Sequence, residues 1–205
     1  MERIVIVDYG MGNLRSVQKK IENIGGKGIL SSDKEEISNA AKIILPGVGH
    51  FKSAVNKLKE KGLWDILNKK ALVNKTPILG ICLGMQLMAK HSEEGDVDGF
   101  GWFDATVVKF QVSDKLKFKI PHIGWNQTIV KRENDLLKGI EEDANYYFVH
   151  SYYIKCNDQK DILANTIYDC EFTSVIQKEN IYGVQFHPEK SHETGESLLR
   201  NFINL

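Results

Sequence analysis

Cys82 stands between two glycines in the stretch GICLGMQ, residues 80–86. A thiol in a G-x-nucleophile-x-G frame is placed to attack a carbonyl carbon. Such frames turn sharply from strand to helix, and the flanking glycines relieve the crowding that a Cβ would create. The attacking species is the thiolate; a free thiol with a pKa near ~8.5 is only slightly ionised at neutral pH, so the site needs a base, and a helix N-terminus beside the sulfur would help. His187, in YGVQFHPEKS (182–191), offers that base, with Glu189 two residues on. In extended chain, positions i and i+2 point the same way, so Glu189 can hold one imidazole nitrogen while the other faces Cys82. Pro188 between them stiffens the backbone. Acyl transfer also needs donors for an oxyanion: the Leu83 N–H just after the nucleophile, and the Gly47-Val48-Gly49 loop within PGVGHF. Each piece has a plainer reading. Cysteine is at home as a small buried residue in a tight turn, His-Pro-Glu as a solvated turn after an edge strand, and the glycine loop as an ordinary strand-to-helix connection.

The remaining histidines offer less. His150 adjoins Ser151, but neighbouring strand residues face opposite sides and cannot form a hydroxyl–imidazole pair. His50 has nothing to orient it, His91 and His192 sit among acids and read as exposed, and His122 belongs to the motif PHIGWN. No His or Cys spacing suits a metal site. The order Cys82, His187, Glu189 departs from the nucleophile–acid–histidine order of α/β-hydrolases. GMGNLR (10–15) begins like a dinucleotide fingerprint but has Arg15 at the third glycine position, and no P-loop occurs, so a nucleotide site is not expected.

These side chains require strands that end where the chemistry is needed. Ile4-Val5-Ile6-Val7, Ile43-Ile44-Leu45 and the run 78–81 are short apolar stretches of the kind buried on both faces of a sheet. Between them Leu14, Val17, Ile21 and Ile24 recur at helical spacing up to Gly25-Gly26, and Phe51, Val55 and Leu58 and then residues 63–72 are helical too. Leu83, Met85, Leu87 and Met88 suggest a helix after Cys82. Alternating strands and helices imply a parallel sheet with helices on both faces, whose ligands bind beyond the carboxyl ends of the strands. From 101 to 130 the pattern turns strand-like, and 145–155, 162–168, 173–177 and 183–186 continue it. Residues 191–205 close the chain as a helix that Ser191 can cap. The expected architecture is α/β with a strand-rich second half.

With 27 basic against 27 acidic residues the chain has no net charge, so no global field recruits nucleic acid or an anionic membrane. No apolar run approaches ~20 residues and no signal-peptide pattern opens the chain. Three scattered cysteines exclude a disulfide framework. A cytoplasmic protein of one domain, residues 1–205, is the economical expectation, without metal or cofactor.

Taken together, the G-x-C-x-G-x-Q elbow, the P-G-V-G loop and HPE resemble the class I glutamine amidotransferases. DYGMGNL, PGVGHF, GICLGMQ, SEEG, PHIGWN, YFVHSYY and VQFHPEKS run in order from residue 8 to 191. They narrow the likeness to glutaminase subunits that pair with a (β/α)8 cyclase barrel in histidine biosynthesis. The resemblance implies a flavodoxin-like amidotransferase fold, L-glutamine as substrate and a heterodimer with the barrel. It implies that Cys82, His187 and Glu189 are catalytic and that Leu83, Val48 and Gly49 serve the oxyanion. It further implies that Gly47, Gln86, Glu94, Ser151 and Tyr152 hold the amino-acid end of glutamine, and that Asn13, Trp125, Tyr147 and Lys190 lie at the subunit contact. Without it, Gln86 reads as a polar helix position and Glu94 as a solvated carboxylate. A paralogous subunit feeding ammonia to nucleotide-sugar amidation shares these motifs, and a non-catalytic binding subunit is a further alternative that the intact triad speaks against.

Overall fold

The computed structural model describes residues 3–141 and 143–205. Its main sheet has eight strands. β1 (Ile4–Val7), β2 (Gly28–Ser31), β3 (Lys42–Gly47) and β4 (Ile78–Cys82) come from the first half of the chain. The small strands β5 (Ala89–Ser92) and β6 (Val97–Asp98) follow, then β7 (Phe103–Lys109), β8 (His122–Gln127), β9 (Ile129–Val130), β10 (Asn145–His150) and β11 (Tyr152–Cys156). β12 (Ile162–Tyr168), β13 (Cys170–Lys178) and β14 (Ile181–Val184) complete the set. The large sheet runs β2-β1-β3-β4-β14-β13-β12-β9; β8 and β10 form a separate antiparallel ribbon, and β11-β7-β5-β6 a third sheet. From β2 to β14 the pairings are parallel, and beyond β14 they are antiparallel.

Among the described residues six α-helices flank these strands: α1 (Leu14–Asn23), α2 (Lys34–Ser38), α3 (Phe51–Glu60), α4 (Trp64–Asn68), α5 (Leu83–Gln86) and α6 (His192–Ile203). The apolar run of β1 shows how the layers form. Successive side chains point to opposite faces, so Val5 and Val7 enter the core under α2, α3 and α4, while Ile4 and Ile6 enter the core under α1 and α6.

Three expectations need correction. The helix after Cys82 is a single turn, α5, because the chain from Leu87 bends into β5. Leu87 and Met88 remain buried, and the carbonyls of Leu87, Met88 and Ala89 accept the N–H groups of Phe100, Phe103 and Gly101 instead of continuing a helix. The strand-like stretch 101–130 is broken at 110–121, where the Asp114 carboxylate accepts the Leu116 and Lys117 N–H groups and turns the chain. Ser191 stands at the N-cap of α6 without capping it; its hydroxyl is engaged elsewhere.

Register places the chemistry. Gly47 pairs with Cys82 across β3 and β4, and Val184 pairs with Ile81 across β14 and β4. The glycine loop, the thiol and His187 therefore emerge side by side from three parallel strands at one carboxyl edge.

Candidate active site

Cys82 adopts φ 54° and ψ −110°, a left-handed conformation unfavourable for a residue with a Cβ. The glycines around it make that turn possible. A Cβ on Gly80 would stand 2.7 Å from the backbone of Gly84 and Met85, and one on Gly84 would collide with the Leu45 carbonyl. The thiol lies in a cleft of about 430 Å³ whose walls include Val48, Gly49, Leu83, Gln86, Glu94 and the segment 149–152. Pro121, at the end of the cis Ile120–Pro121 peptide, and Lys190 complete its rim. Gly47 is not among the residues lining the cleft; it sits behind, against Leu83 and Gly84.

His187 and Glu189 are buried, and the His187 Nδ1 to Glu189 Oε1 distance is 2.8 Å. Nδ1 is thus occupied, which leaves Nε2 for Cys82. Burial alone would lower the His187 pKa. The negative charge and hydrogen-bonding capacity of Cys82, with Glu189 behind, outweigh it and raise the imidazole to about 10. The ring is therefore held in its protonated form, with the Glu189 carboxylate against Nδ1. Its turn is fastened from two sides: the His187 N–H donates to the Tyr147 carbonyl at 2.9 Å, and the Ser191 hydroxyl donates to the His187 carbonyl at 2.6 Å. Ser191 Oγ also accepts the Tyr147 N–H at 3.0 Å. Tyr147 and the imidazole are accordingly joined through backbone.

Gln185, fully buried, joins the site although its sequence context marked it only as part of a strand. Its Nε2 donates to Cys82 Sγ at 3.6 Å, and its Oε1 accepts the Gln86 amide at 3.0 Å. The other Gln86 proton goes to the Tyr152 carbonyl at 2.8 Å. With both N–H groups committed, only Gln86 Oε1 is available to a ligand. The same Tyr152 carbonyl accepts from His150 Nδ1 at 2.9 Å, so His150 Nε2 must accept, here from His122 Nδ1 at 3.0 Å. This buried histidine pair follows from the β8–β10 register, which sets His122 opposite His150 and cannot be read along one strand. Burial lowers His122 to about 4 and His150 to about 3, the latter against the pull of the Tyr152 carbonyl and aided by the charges of His122 and His187.

Glu94 is anchored rather than merely solvated: its Oε2 accepts the Phe51 N–H, at the start of α3, at 2.7 Å. That bond ties the far end of the glycine loop to the cleft wall. Trp125, Tyr147 and Lys190 cluster beside the rim. Trp125 meets Tyr147 edge-on at 5.9 Å and stacks on His192 at 4.9 Å, and Lys190 Nζ lies 5.4 Å above the Tyr147 ring. Asn13 is exposed at the start of α1, and α1 packs against the 188–190 turn. Among the described residues no group of three or more His, Cys, Asp or Glu could hold a metal ion, and no helix is long and apolar enough to cross a membrane.

A buried thiol beside a buried imidazole that a carboxylate holds, beneath a cleft edged by a glycine loop, can form and hydrolyse a thioester. The family model of class-I glutamine amidotransferases matches residues 5–205. The chain belongs to that family. Among curated class-I amidotransferases it is 54% identical over 200 residues to imidazole glycerol phosphate synthase subunit HisH 2 of Methanococcus maripaludis, covering 98% of each chain. It is 43% identical to HisH 2 of Pseudomonas aeruginosa, covering 98% of this chain and 99% of that one. It is 46% identical to HisH of Leptospira borgpetersenii, covering 98% and 100%. Among solved structures, a glutamine amidotransferase superposes with a TM-score of 0.75 at 18% identity, covering 98% of this chain and 97% of that one. PurLQS from Thermotoga maritima does so at 0.72 and 18%, covering 100% and 99%; identities this low speak for the amidotransferase fold alone.

Proposed function

We propose that the chain, as one amidotransferase domain, is the glutaminase subunit of an imidazole glycerol phosphate synthase. It hydrolyses L-glutamine and passes the ammonia to a (β/α)8 cyclase subunit of the HisF type in histidine biosynthesis. The observation that carries this reading is the buried His187–Glu189 pair, with Cys82 buried at the floor of the cleft on the neighbouring strand.

In this mechanism Cys82 Sγ attacks the side-chain carboxamide carbon of glutamine. The Leu83 N–H and a second N–H from Val48 or Gly49 bind the developing oxyanion. His187 transfers its Nε2 proton to the leaving nitrogen, ammonia departs, and a glutamyl thioester remains. His187 then takes a proton from water, the hydroxide attacks the thioester carbon, and glutamate leaves as the sulfur is freed. Glu189, on Nδ1, keeps the ring oriented and its positive charge matched. Glu94 and Gln86 Oε1 receive the ammonium of glutamine, with Ser151 and Tyr152 contributing backbone, and Gly47 shapes the site from behind. Asn13, Trp125, Tyr147 and Lys190 form the docking face for the barrel. Glycines on both sides of Val48 let one peptide turn over at small cost, so the loop can withhold its donor until the barrel holds its phosphoribosyl substrate.

The test is Cys82→Ala in the two-subunit complex. Glutamine-dependent formation of imidazole glycerol phosphate should vanish while formation from ammonium salt persists. Loss of both activities would sink the division of labour, and wild-type complex that makes no imidazole glycerol phosphate from either nitrogen source would point to another acceptor.

A further inference from the structure

Tyr9 is completely buried, yet its hydroxyl has no hydrogen-bond partner among the described residues. A buried donor without an acceptor is disfavoured, and phenylalanine would fill the same space without that penalty. The place it occupies is specific. Around Gly47 the Tyr9 oxygen comes nearest: a Cβ there would collide with it, and would also stand 3.0 Å from Leu83 Cβ and 3.1 Å from the Gly84 nitrogen. Gly47 must be glycine because Tyr9 and the elbow together leave no room. The hydroxyl also lies within electrostatic reach of Cys82, and burial, reinforced by that charge, drives the phenol pKa upward, so Tyr9 stays a donor. The chain around it is fastened: the Asp8 N–H donates to the Ser31 carbonyl at 2.8 Å, and Asp8 Oδ1 accepts the Gly10 N–H at 2.9 Å. Met11 closes over the far end of the loop, where a Cβ on Gly49 would stand 2.8 Å from its methyl carbon.

A trans peptide carries its N–H and its carbonyl on opposite sides. Turning the Gly47–Val48 unit so that the Val48 N–H enters the cleft therefore swings the Gly47 carbonyl away from the cleft, toward the buried side where Tyr9 waits. We propose that Tyr9 is a positioning residue whose hydroxyl donates to the Gly47 carbonyl in the loop orientation that presents the Val48 N–H to the oxyanion. In the orientation seen here the hydroxyl is unpartnered, so its bond belongs to the working state alone. A bond made only there raises kcat without tightening substrate binding. This inference rests on the glycine loop being the source of the oxyanion donor.

The test is Tyr9→Phe in the complex. Glutamine hydrolysis should lose about tenfold in kcat with KM within about twofold, and the thermal midpoint should hold or rise, because an unpaired hydroxyl has gone. A packing role alone predicts the same midpoint with kcat intact, so kcat within about twofold of wild type overturns the proposal. A fall in midpoint together with kcat marks a folding defect and overturns it too, as does a thioester-trapped structure whose Gly47 carbonyl does not reach Tyr9. Val48→Pro, which deletes the N–H itself, separates the two levels. Retained kcat in that variant means the Val48 N–H is not the donor and overturns the proposal; lost kcat there with an unaffected Tyr9→Phe leaves the Val48 N–H standing and removes only Tyr9.

Discussion

Gln185 and the paired histidines show how much of the site is made by residues whose sequence context gives no sign of it. Gln185 donates to the Cys82 sulfur and steadies Gln86 as well. Gln185→Met keeps the volume and deletes both bonds. Denaturant midpoints should show a loss of about 1–3 kcal/mol, and glutaminase kcat in the complex should fall alongside it. The His122–His150 pair makes a pH prediction. Both pKa values are depressed in the fold, to about 4 and about 3, so their neutral forms contribute stability in full above the unfolded value near 6.5. Below it the unfolded chain takes up protons that the folded pair refuses, and stability falls as pH drops toward those folded values. His122→Asn removes one titrating ring. Between pH 7.5 and pH 5 it should lose roughly 2 kcal/mol less than wild type, read from urea midpoints at each pH. An equal loss in both proteins would show that the pair titrates normally. His187 behaves oppositely: raised to about 10, its contribution is complete below the unfolded value and disappears as pH climbs to the folded one.

At the scale of elements, the turn carrying His187 is held to β10 rather than to its own strand. The Ser191 hydroxyl bridges the His187 carbonyl and the Tyr147 N–H, which is why it does not cap α6. Ser191→Ala should therefore loosen the imidazole more than the helix. The expected loss is about 1–3 kcal/mol in unfolding free energy, with kcat reduced and the helical circular dichroism unchanged. A variant with lower stability and full kcat would show that β10 does not position the base. The single-turn α5 likewise depends on what surrounds it: Gly84 within it is required by the Leu45 carbonyl, and Gly80, on β4 before it, by the elbow's own backbone.

At the scale of the molecule, β8 and β10 lie between the cleft and an exposed aromatic face. His122 and His150 look inward, while Ile123 and Trp125 stand outward, 58% and 48% exposed. With no net charge to steer association, docking of a barrel on this proposed face would rest on such shape and aromatic contacts. Trp125→Ala should weaken barrel binding by roughly 30-fold, about 2 kcal/mol, in calorimetric titration, and leave the denaturant midpoint of the isolated chain unchanged. Unchanged affinity would place the partner elsewhere.

Local chemistry made part of this protein legible from its residue order. The elbow needs glycines at 80 and 84 whatever surrounds it, i and i+2 in extended chain share a direction, and apolar runs of four must be buried on both sides, so Cys82, the His187–Glu189 pair and the parallel strands could be named in advance. Contacts between segments far apart in the chain could not, because a residue's own neighbours carry no trace of them. Strand order alone sets Gly47 and His187 on either side of Cys82, register alone pairs His122 with His150, and packing alone puts the Tyr9 hydroxyl beneath the loop. The short α5 and the bridging Ser191 belong with these: tertiary hydrogen bonds take the carbonyls after α5 that local propensity would have given to a helix, and they take the Ser191 hydroxyl that would have capped one.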